Sequence, residues 1–209
     1  MAILLLVIVP GYLVGSFPTA VLVARLNGVD IFREGSGNPG ASNVYRLLGL
    51  RWAFLVLAID LMKGFIPVAL AARWLAMHGG PHPFSHTVIL ATLGFATFFG
   101  HVKSIFLHFQ GGKGVATLFG ALFAIAPQAM SLVVLVYLAA LLGTRTFSLA
   151  SLCAAAAFPI CLLVREGRYD WPTFGWSMLV PTLLLWTHRS NLKRLLRHEE
   201  LPMRHDEGV

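Results

Sequence analysis

Three short runs in this chain carry the residue types that bind and activate phosphorylated molecules. The first is Gly35-Ser36-Gly37-Asn38-Pro39-Gly40-Ala41-Ser42-Asn43, followed by Arg46. Glycines at 35, 37 and 40 permit backbone angles that side chains forbid, so amide N–H groups can converge on an anion. Ser36, Asn38, Ser42 and Asn43 add short hydrogen-bonding groups, and Arg46 adds a guanidinium fork that matches phosphate. The second run is Gly111-Gly112-Lys113-Gly114. It is not a Walker A motif, because Gly114 follows Lys113 and Leu107 stands where the first glycine should be. What remains is a glycine nest with an ammonium, opening into an apolar stretch whose helix N-terminus would add partial positive charge. The third run is His188-Arg189-Ser190-Asn191, where His188 and Asn191 share a helix face at a spacing of three. Each run read singly has a plainer alternative: a flexible polar loop, a topological anchor at Lys113, and a basic stop after an apolar segment.

Absent residues narrow the chemistry. Asp60 is the one carboxylate well inside an apolar stretch, so paired-carboxylate catalysis and a hard-metal cage have no basis there. Asp60 and Lys63 stand at i, i+3 and can pair, either to support a site or to hold helices together. Cys153 and Cys161 lie in an apolar run about two turns apart, too far to bridge, and read as buried small hydrophobes. His78, His82 and His86 are interrupted by Gly79, Gly80, Pro81 and Pro83, which removes a helical metal face. No metal and no cofactor is expected. No His-x4-Asp occurs, which argues against the soluble type of glycerolipid acyltransferase.

The elements that must position these runs are membrane helices. The chain is 57% hydrophobic and 12% charged, about half the usual charged fraction of a soluble domain. Apolar stretches cover Ile3 to Leu26, Trp52 to Met77, Phe84 to Gly100, Val115 to Leu142, Phe147 to Val164 and Trp171 to Thr187. A polar loop is predicted from Asn27 to Arg51, a turn at Gly79 to Pro83, and a tail from His188 to Val209. The first stretch has no basic leader and is too long for a signal core, so it is expected to stay as a span. The net charge of +7 sits in short loops and the tail, where topology and anionic lipid explain it without nucleic acid.

Val115 to Leu142 is ambiguous. As one helix it would be about 42 Å long, against a hydrocarbon core of about 30 Å. Charge bias chooses a break at Pro127. With the break, Arg25, Arg33, Arg46, Arg51, Lys103, Lys113, Arg145, Arg189, Lys193, Arg194, Arg197 and Arg204 share one side. Only Arg73, Arg165 and Arg168 lie opposite. Without it the two sides are nearly equal. The expected fold is therefore a single all-α, polytopic domain over residues 1–209: a seven-transmembrane-helix bundle with short re-entrant-like helices. Its N-terminus is outside and its C-terminal tail, 188–209, is cytoplasmic. Both glycine runs and the tail then meet at the cytoplasmic face.

At these residues the chain resembles the bacterial acyl-phosphate:glycerol-3-phosphate acyltransferases, the PlsY family. The shared pattern comprises Gly15-Ser16-Phe17-Pro18, the first glycine run through Arg46 to Gly49, and Asp60-x-x-Lys63-Gly64. It continues with Gly100-His101, the run from Gly111 to Thr117, and His188-Arg189-x-Asn191. Ser42 stands where threonine is common, and Ser190 where an acidic residue is common. The resemblance implies an inner-membrane enzyme of phospholipid synthesis that moves an acyl group from acyl phosphate to the 1-hydroxyl of sn-glycerol 3-phosphate. Acyl-CoA and acyl-carrier protein are not donors in that family. It implies Ser36, Arg46 and Lys113 for glycerol 3-phosphate, and Ser42, Gly111, Gly112 and Gly114 for acyl phosphate. Lys113, His188 and Asn191 would be the catalytic set, with either His188 or a substrate phosphate taking the hydroxyl proton. The donor is already a mixed anhydride, so positioning and oxyanion stabilisation suffice. A transporter of a phosphorylated solute is the competing class. It would need ionisable residues along a path, and only Asp60 and Lys63 qualify. A non-catalytic scaffold would explain neither glycine run.

Overall fold

The computed structural model describes residues 2–78, 85–166 and 171–203. The turn expected at Gly79–Pro83, His82, Arg168 and Arg204 lie outside the described residues. Those described are helical or connecting, with no strand among them. Helix α1 spans Ala2–Gly15 and α2 spans Thr19–Leu26. Between them Pro18 lacks an N–H and pushes Phe17 out of helical angles. The freed carbonyls are not left bare: Lys63 Nζ donates to Phe17 O at 3.0 Å and Ser104 Oγ to Ser16 O at 2.6 Å. A broken helix persists in apolar surroundings only when its backbone is satisfied in this way.

The segment expected to be a polar loop contains a helix, α3, over Ala41–Leu48, and α4 begins at Leu50 and runs to His78. The run after Gly40 is amphipathic, burying Asn43, Val44 and Arg46 along one face, so packing rather than length makes it helical. Helix α5 is His86–Val102, followed by a short 3-10 turn at Ile105–Leu107. The long apolar stretch does break: α6 is Val115–Ile125 and α7 is Pro127–Thr144. Ala126 leaves helical angles, with φ of −139° and ψ of 69°, as the residue before a proline must, and Pro127 opens α7 where its missing N–H costs nothing. Helices α8 (Phe147–Glu166), α9 (Trp171–Thr187) and α10 (Arg189–Leu196) complete the order.

Among the described residues, five helical stretches are long and apolar enough to cross a membrane. They are Val7–Leu26, Leu50–His78, His86–Leu107, Pro127–Thr144 and Phe147–Arg165, and Val115–Ile125 is a shorter apolar helix. The main core gathers Phe98, Leu118, Leu122, Met130, Val133, Phe158 and Leu184 around α6. Two helix pairs approach to backbone contact through glycine. A Cβ on Gly64 would strike the Thr117 carbonyl of α6, and one on Gly120 would strike the Leu61 carbonyl of α4. Gly15 and Gly100 face the Thr97 and Tyr12 carbonyls across α1 and α5 in the same reciprocal manner. Small residues at such crossings replace the hydrophobic drive that lipid removes. They fix the end of α5 and the start of α6, and the second glycine run hangs between those two points.

Candidate active site

The first glycine run is folded by one side chain. Asn43 is fully buried; its Oδ1 accepts from the Ser36 N–H at 2.8 Å, and its Nδ2 donates to Ile31 O and Glu34 O at 3.2 and 3.1 Å. Gly35 and Gly37 have φ of +60° and +66°, which lets the chain curl around that amide. Ser36 is thereby held at the loop tip, half-buried, and Ser42 lies on the first turn of α3. One helical turn on, Arg46 is 9% exposed. Its Nε and Nη2 donate to Pro202 O and Leu201 O at 3.3 and 3.1 Å, and Nη1 donates to Ser42 O at 3.4 Å. Its guanidinium also lies over the Phe147 ring, 5.7 Å from the centroid.

The second run is folded by backbone. The Gly111 N–H donates to Val102 O at 3.1 Å and the Gly112 N–H to His101 O at 3.2 Å. These two amides are therefore committed to the end of α5. Gly114 has φ of +76° and turns the chain into α6, leaving the first-turn N–H groups of that helix without intrahelical partners. The two glycine runs touch: a Cβ on Gly112 would lie 2.7 Å from Pro39 O and would also strike His101 Nε2. Lys113 projects from this junction. Burial, then the Arg194 and Arg46 cations, lower its pKa to about 8, while Glu200 works in the opposite direction.

His188 and Asn191 lie at the start of α10 and are both buried. His188 Nδ1 is 2.9 Å from Leu184 O. A carbonyl only accepts, so Nδ1 carries the proton and Nε2 keeps its lone pair. Burial and Lys113 lower the His188 pKa to about 4, against smaller raising effects of the Leu184 carbonyl and Glu200. The ring is neutral near pH 7.

Glu200 and two residues that hold it, Ser148 and Arg194, were not singled out as site residues by sequence reasoning. Glu200, in the segment after α10, accepts from Asn191 Nδ2 and from Ser148 Oγ at 2.8 Å through Oε1, and from Arg194 Nε at 2.8 Å through Oε2. Burial would raise the Glu200 carboxyl, but donation from Asn191, Ser148 and Arg194 outweighs it and holds it below the ordinary carboxylate value. The signal available was an acidic pair, Glu199-Glu200, directly after the basic stretch from His188 to His198. Met203 N donates to Arg145 O at 2.8 Å, so the segment from Glu200 to Met203 straps α3, α8 and α10 together. Behind the loops, Lys63 Nζ lies 2.9 Å from Asp60 Oδ1, and both side chains are buried. His101 Nδ1 stands 3.9 Å from the same oxygen. The pair thus joins the α1–α2 break to the helix end that carries the second glycine run.

Arg46, Lys113, a neutral histidine and an amide, drawn from α3, the α5–α6 junction and α10, are thus brought within electrostatic or hydrogen-bonding reach of the Glu200–Pro202 segment. Such a set suits a substrate with phosphate and hydroxyl groups more than a redox or metal-dependent one.

A family model described as glycerol-3-phosphate acyltransferase matches residues 5–198. The chain is similar to a glycerol-3-phosphate acyltransferase of Myxococcus xanthus, 44% identical, covering 91% of this chain and 94% of that one. It is similar to one of Geotalea daltonii, 40% identical, covering 91% and 93%. A crystal structure of PlsY (YgiH), an integral membrane glycerol 3-phosphate acyltransferase in its glycerol 3-phosphate form, superposes with a TM-score of 0.84. That match has 35% identity and covers 95% of this chain and 94% of the other. The lysophosphatidic acid form superposes with a TM-score of 0.82.

Proposed function

The chain belongs to the glycerol-3-phosphate acyltransferase family, and from that premise we propose that its acyl donor is acyl phosphate. It is an integral membrane acyltransferase acting on glycerol 3-phosphate. In the proposed reaction the 1-hydroxyl oxygen attacks the acyl carbonyl carbon. The new C–O ester bond forms, the C–O bond to the phosphoryl group breaks, and inorganic phosphate leaves with 1-acylglycerol 3-phosphate as the other product. The hydroxyl proton passes to a substrate phosphate oxygen.

Arg46, Lys113 and Ser36 are assigned to the phosphate of glycerol 3-phosphate. Ser42 and the run Gly111, Gly112 and Gly114 are assigned to acyl phosphate. Because the Gly111 and Gly112 amides already bond to α5, their contribution is the close approach that a side chain would block. The free donors for the developing oxyanion are then the N–H groups opening α6, aided by the Lys113 ammonium. His188 acts by position. A group with a pKa of about 4 is a weak base near neutral pH, whereas its bare Nε2 can accept from and orient a hydroxyl.

The observation that carries this reading is the meeting of Lys113, Arg46, Asn191 and His188 around the Glu200–Pro202 strap. The test is inorganic phosphate release by the detergent-purified protein. Release that needs both acyl phosphate and glycerol 3-phosphate is expected. Turnover with acyl-CoA or acyl-carrier protein, and none with acyl phosphate, would overturn the donor.

We also propose that residues 1–209 form one multi-pass domain of seven spans in the bacterial inner membrane. Its N-terminus is outside and its site is at the cytoplasmic face, as the distribution of cations favours. Cysteines placed at Thr146 and Glu199 should be labelled from the cytoplasmic side only. Outside labelling at Glu199 would remove the seven-span count.

A further inference from the structure

Asn191 is 3% exposed and its two amide ends are treated differently. Nδ2 bonds to Glu200 Oε1, whereas Oδ1 is buried with no partner among the described residues. The choice of end is not arbitrary. An ionised carboxylate only accepts, so the amide must turn its NH2 toward Glu200. Two more donors, Ser148 Oγ and Arg194 Nε, hold the carboxylate in place from α8 and α10. A buried acceptor without a donor is costly, and it is the natural partner of a substrate O–H group.

We infer that Glu200 is a positioning residue: its carboxylate, held by Ser148 and Arg194, turns the Asn191 amide so that Oδ1 receives a hydroxyl of glycerol 3-phosphate. The inference rests on the reading of this site as the one that binds glycerol 3-phosphate, and is independent of the acyl donor.

Glu200→Gln keeps shape and volume but adds a donor. Arg194 can only donate, so it takes the new carbonyl oxygen. The new NH2 then faces Ser148, whose hydroxyl can rotate to accept, and Asn191, which must flip. The flipped amide presents NH2 to the substrate hydroxyl, whose own O–H proton then loses its acceptor on Asn191. Adding Arg194→Ala removes the constraint. The new carbonyl can then turn to Asn191 and restore its original orientation. A purely structural Glu200 predicts the opposite, since two lost bonds damage the fold more than one.

The experiment measures glycerol 3-phosphate binding by calorimetry, without any acyl donor, in wild type, Glu200→Gln, Arg194→Ala and the double variant. Thermal unfolding of each is followed in the same detergent. Glu200→Gln should weaken binding at least about tenfold, the scale of one misplaced buried hydrogen bond. The double variant should return to within about threefold of Arg194→Ala alone. Turnover measured alongside should show the loss in KM for glycerol 3-phosphate, with KM for acyl phosphate within about twofold. The inference is overturned if Glu200→Gln binds as wild type does, or if the double variant binds no better than Glu200→Gln. If Glu200→Gln fails to fold, the double variant against Arg194→Ala decides. Its failure to fold would also overturn the inference, because the glutamine must be accommodated. Wild type that binds glycerol 3-phosphate but turns over no acyl phosphate would remove the donor proposal and leave this one standing.

Discussion

The two glycine runs reach the same site by different means. The first is tied by a side chain, with Asn43 gathering Ser36, Ile31 and Glu34, and its cation, Arg46, rests on carbonyls contributed by residues 201 and 202. The second is tied by main chain alone, to the carbonyls that end α5, and its cation, Lys113, sits where the two runs touch. A side-chain brace can be removed by one substitution without filling space. A main-chain brace cannot be removed that way; it fails only when a side chain is added where the backbones meet. The first run is thus suited to binding and the second to holding fixed donors against developing charge.

Lys113→Ala is the largest expected break in this contrast. It should lower kcat by well over about 100-fold, the scale of losing one preorganised donor at an acyl-transfer centre. Near-normal turnover by the folded variant would place the second run outside the chemistry. Gly112→Ala should come next, at tens-fold in kcat, since a displacement of about 1 Å can cost about 100-fold. Here the added Cβ would lie 2.7 Å from Pro39 O and also strike His101. An unimpaired enzyme would show that the runs are not held in register by this contact.

Asn43→Ala attacks the other brace. It strips the partner from the Ser36 N–H and the Ile31 carbonyl, each worth about 1–3 kcal/mol when left buried and unpaired, whereas the Glu34 carbonyl keeps the Gly37 N–H. The expected outcome is a lower unfolding temperature and a KM for glycerol 3-phosphate raised about tenfold, with a smaller change in kcat. Arg46→Lys keeps the charge and loses the fork. It should raise KM for glycerol 3-phosphate several-fold, and more than KM for acyl phosphate; the reverse order would mean that the two phosphate sites are exchanged.

The smallest effect is in pH dependence. Lys113 has its folded pKa lowered to about 8 from 10.5, so the cation is lost as pH rises through about 8 in the free enzyme. The limb in kcat/KM for glycerol 3-phosphate should fall there, and bound phosphate should move it upward in kcat. His188, lowered to about 4, is neutral throughout the neutral range. His188→Gln should therefore keep the wild-type profile at reduced height. Disappearance in that variant of an acidic limb near its pKa of about 4 would make His188 the base instead.

Legibility in the sequence followed the range of the interaction. Pro127 announced the break that opens α7, because proline acts on its immediate neighbours. The same rule, applied to Pro18, splits the helix within the apolar stretch expected to run unbroken from Ile3 to Leu26; the α1–α2 break survives only through Lys63 and Ser104, far along the chain. Helix α3 was missed because its eight residues bury a face against α4 that a polar composition conceals. Asn43 was legible as a polar loop residue but not as the brace of that loop, since its partners lie up to 12 residues away.

The membrane class, the break at Pro127 and the residue types of a candidate phosphate-handling site were legible along the chain. These depend on composition, local backbone chemistry and short spacing. Long-range packing sets the rest: the Gly111 and Gly112 amides bond to α5, the Leu201 and Pro202 carbonyls close over Arg46, and Glu200 gathers Ser148, Asn191 and Arg194. The partners of Arg46 are separated by 155 and 156 positions, and Ser148 from Glu200 by 52. No periodicity or motif encodes such distances. They are set where the glycine crossings of α4 with α6 and of α1 with α5 fix the helix ends, and with them the loops and the strap that those ends carry.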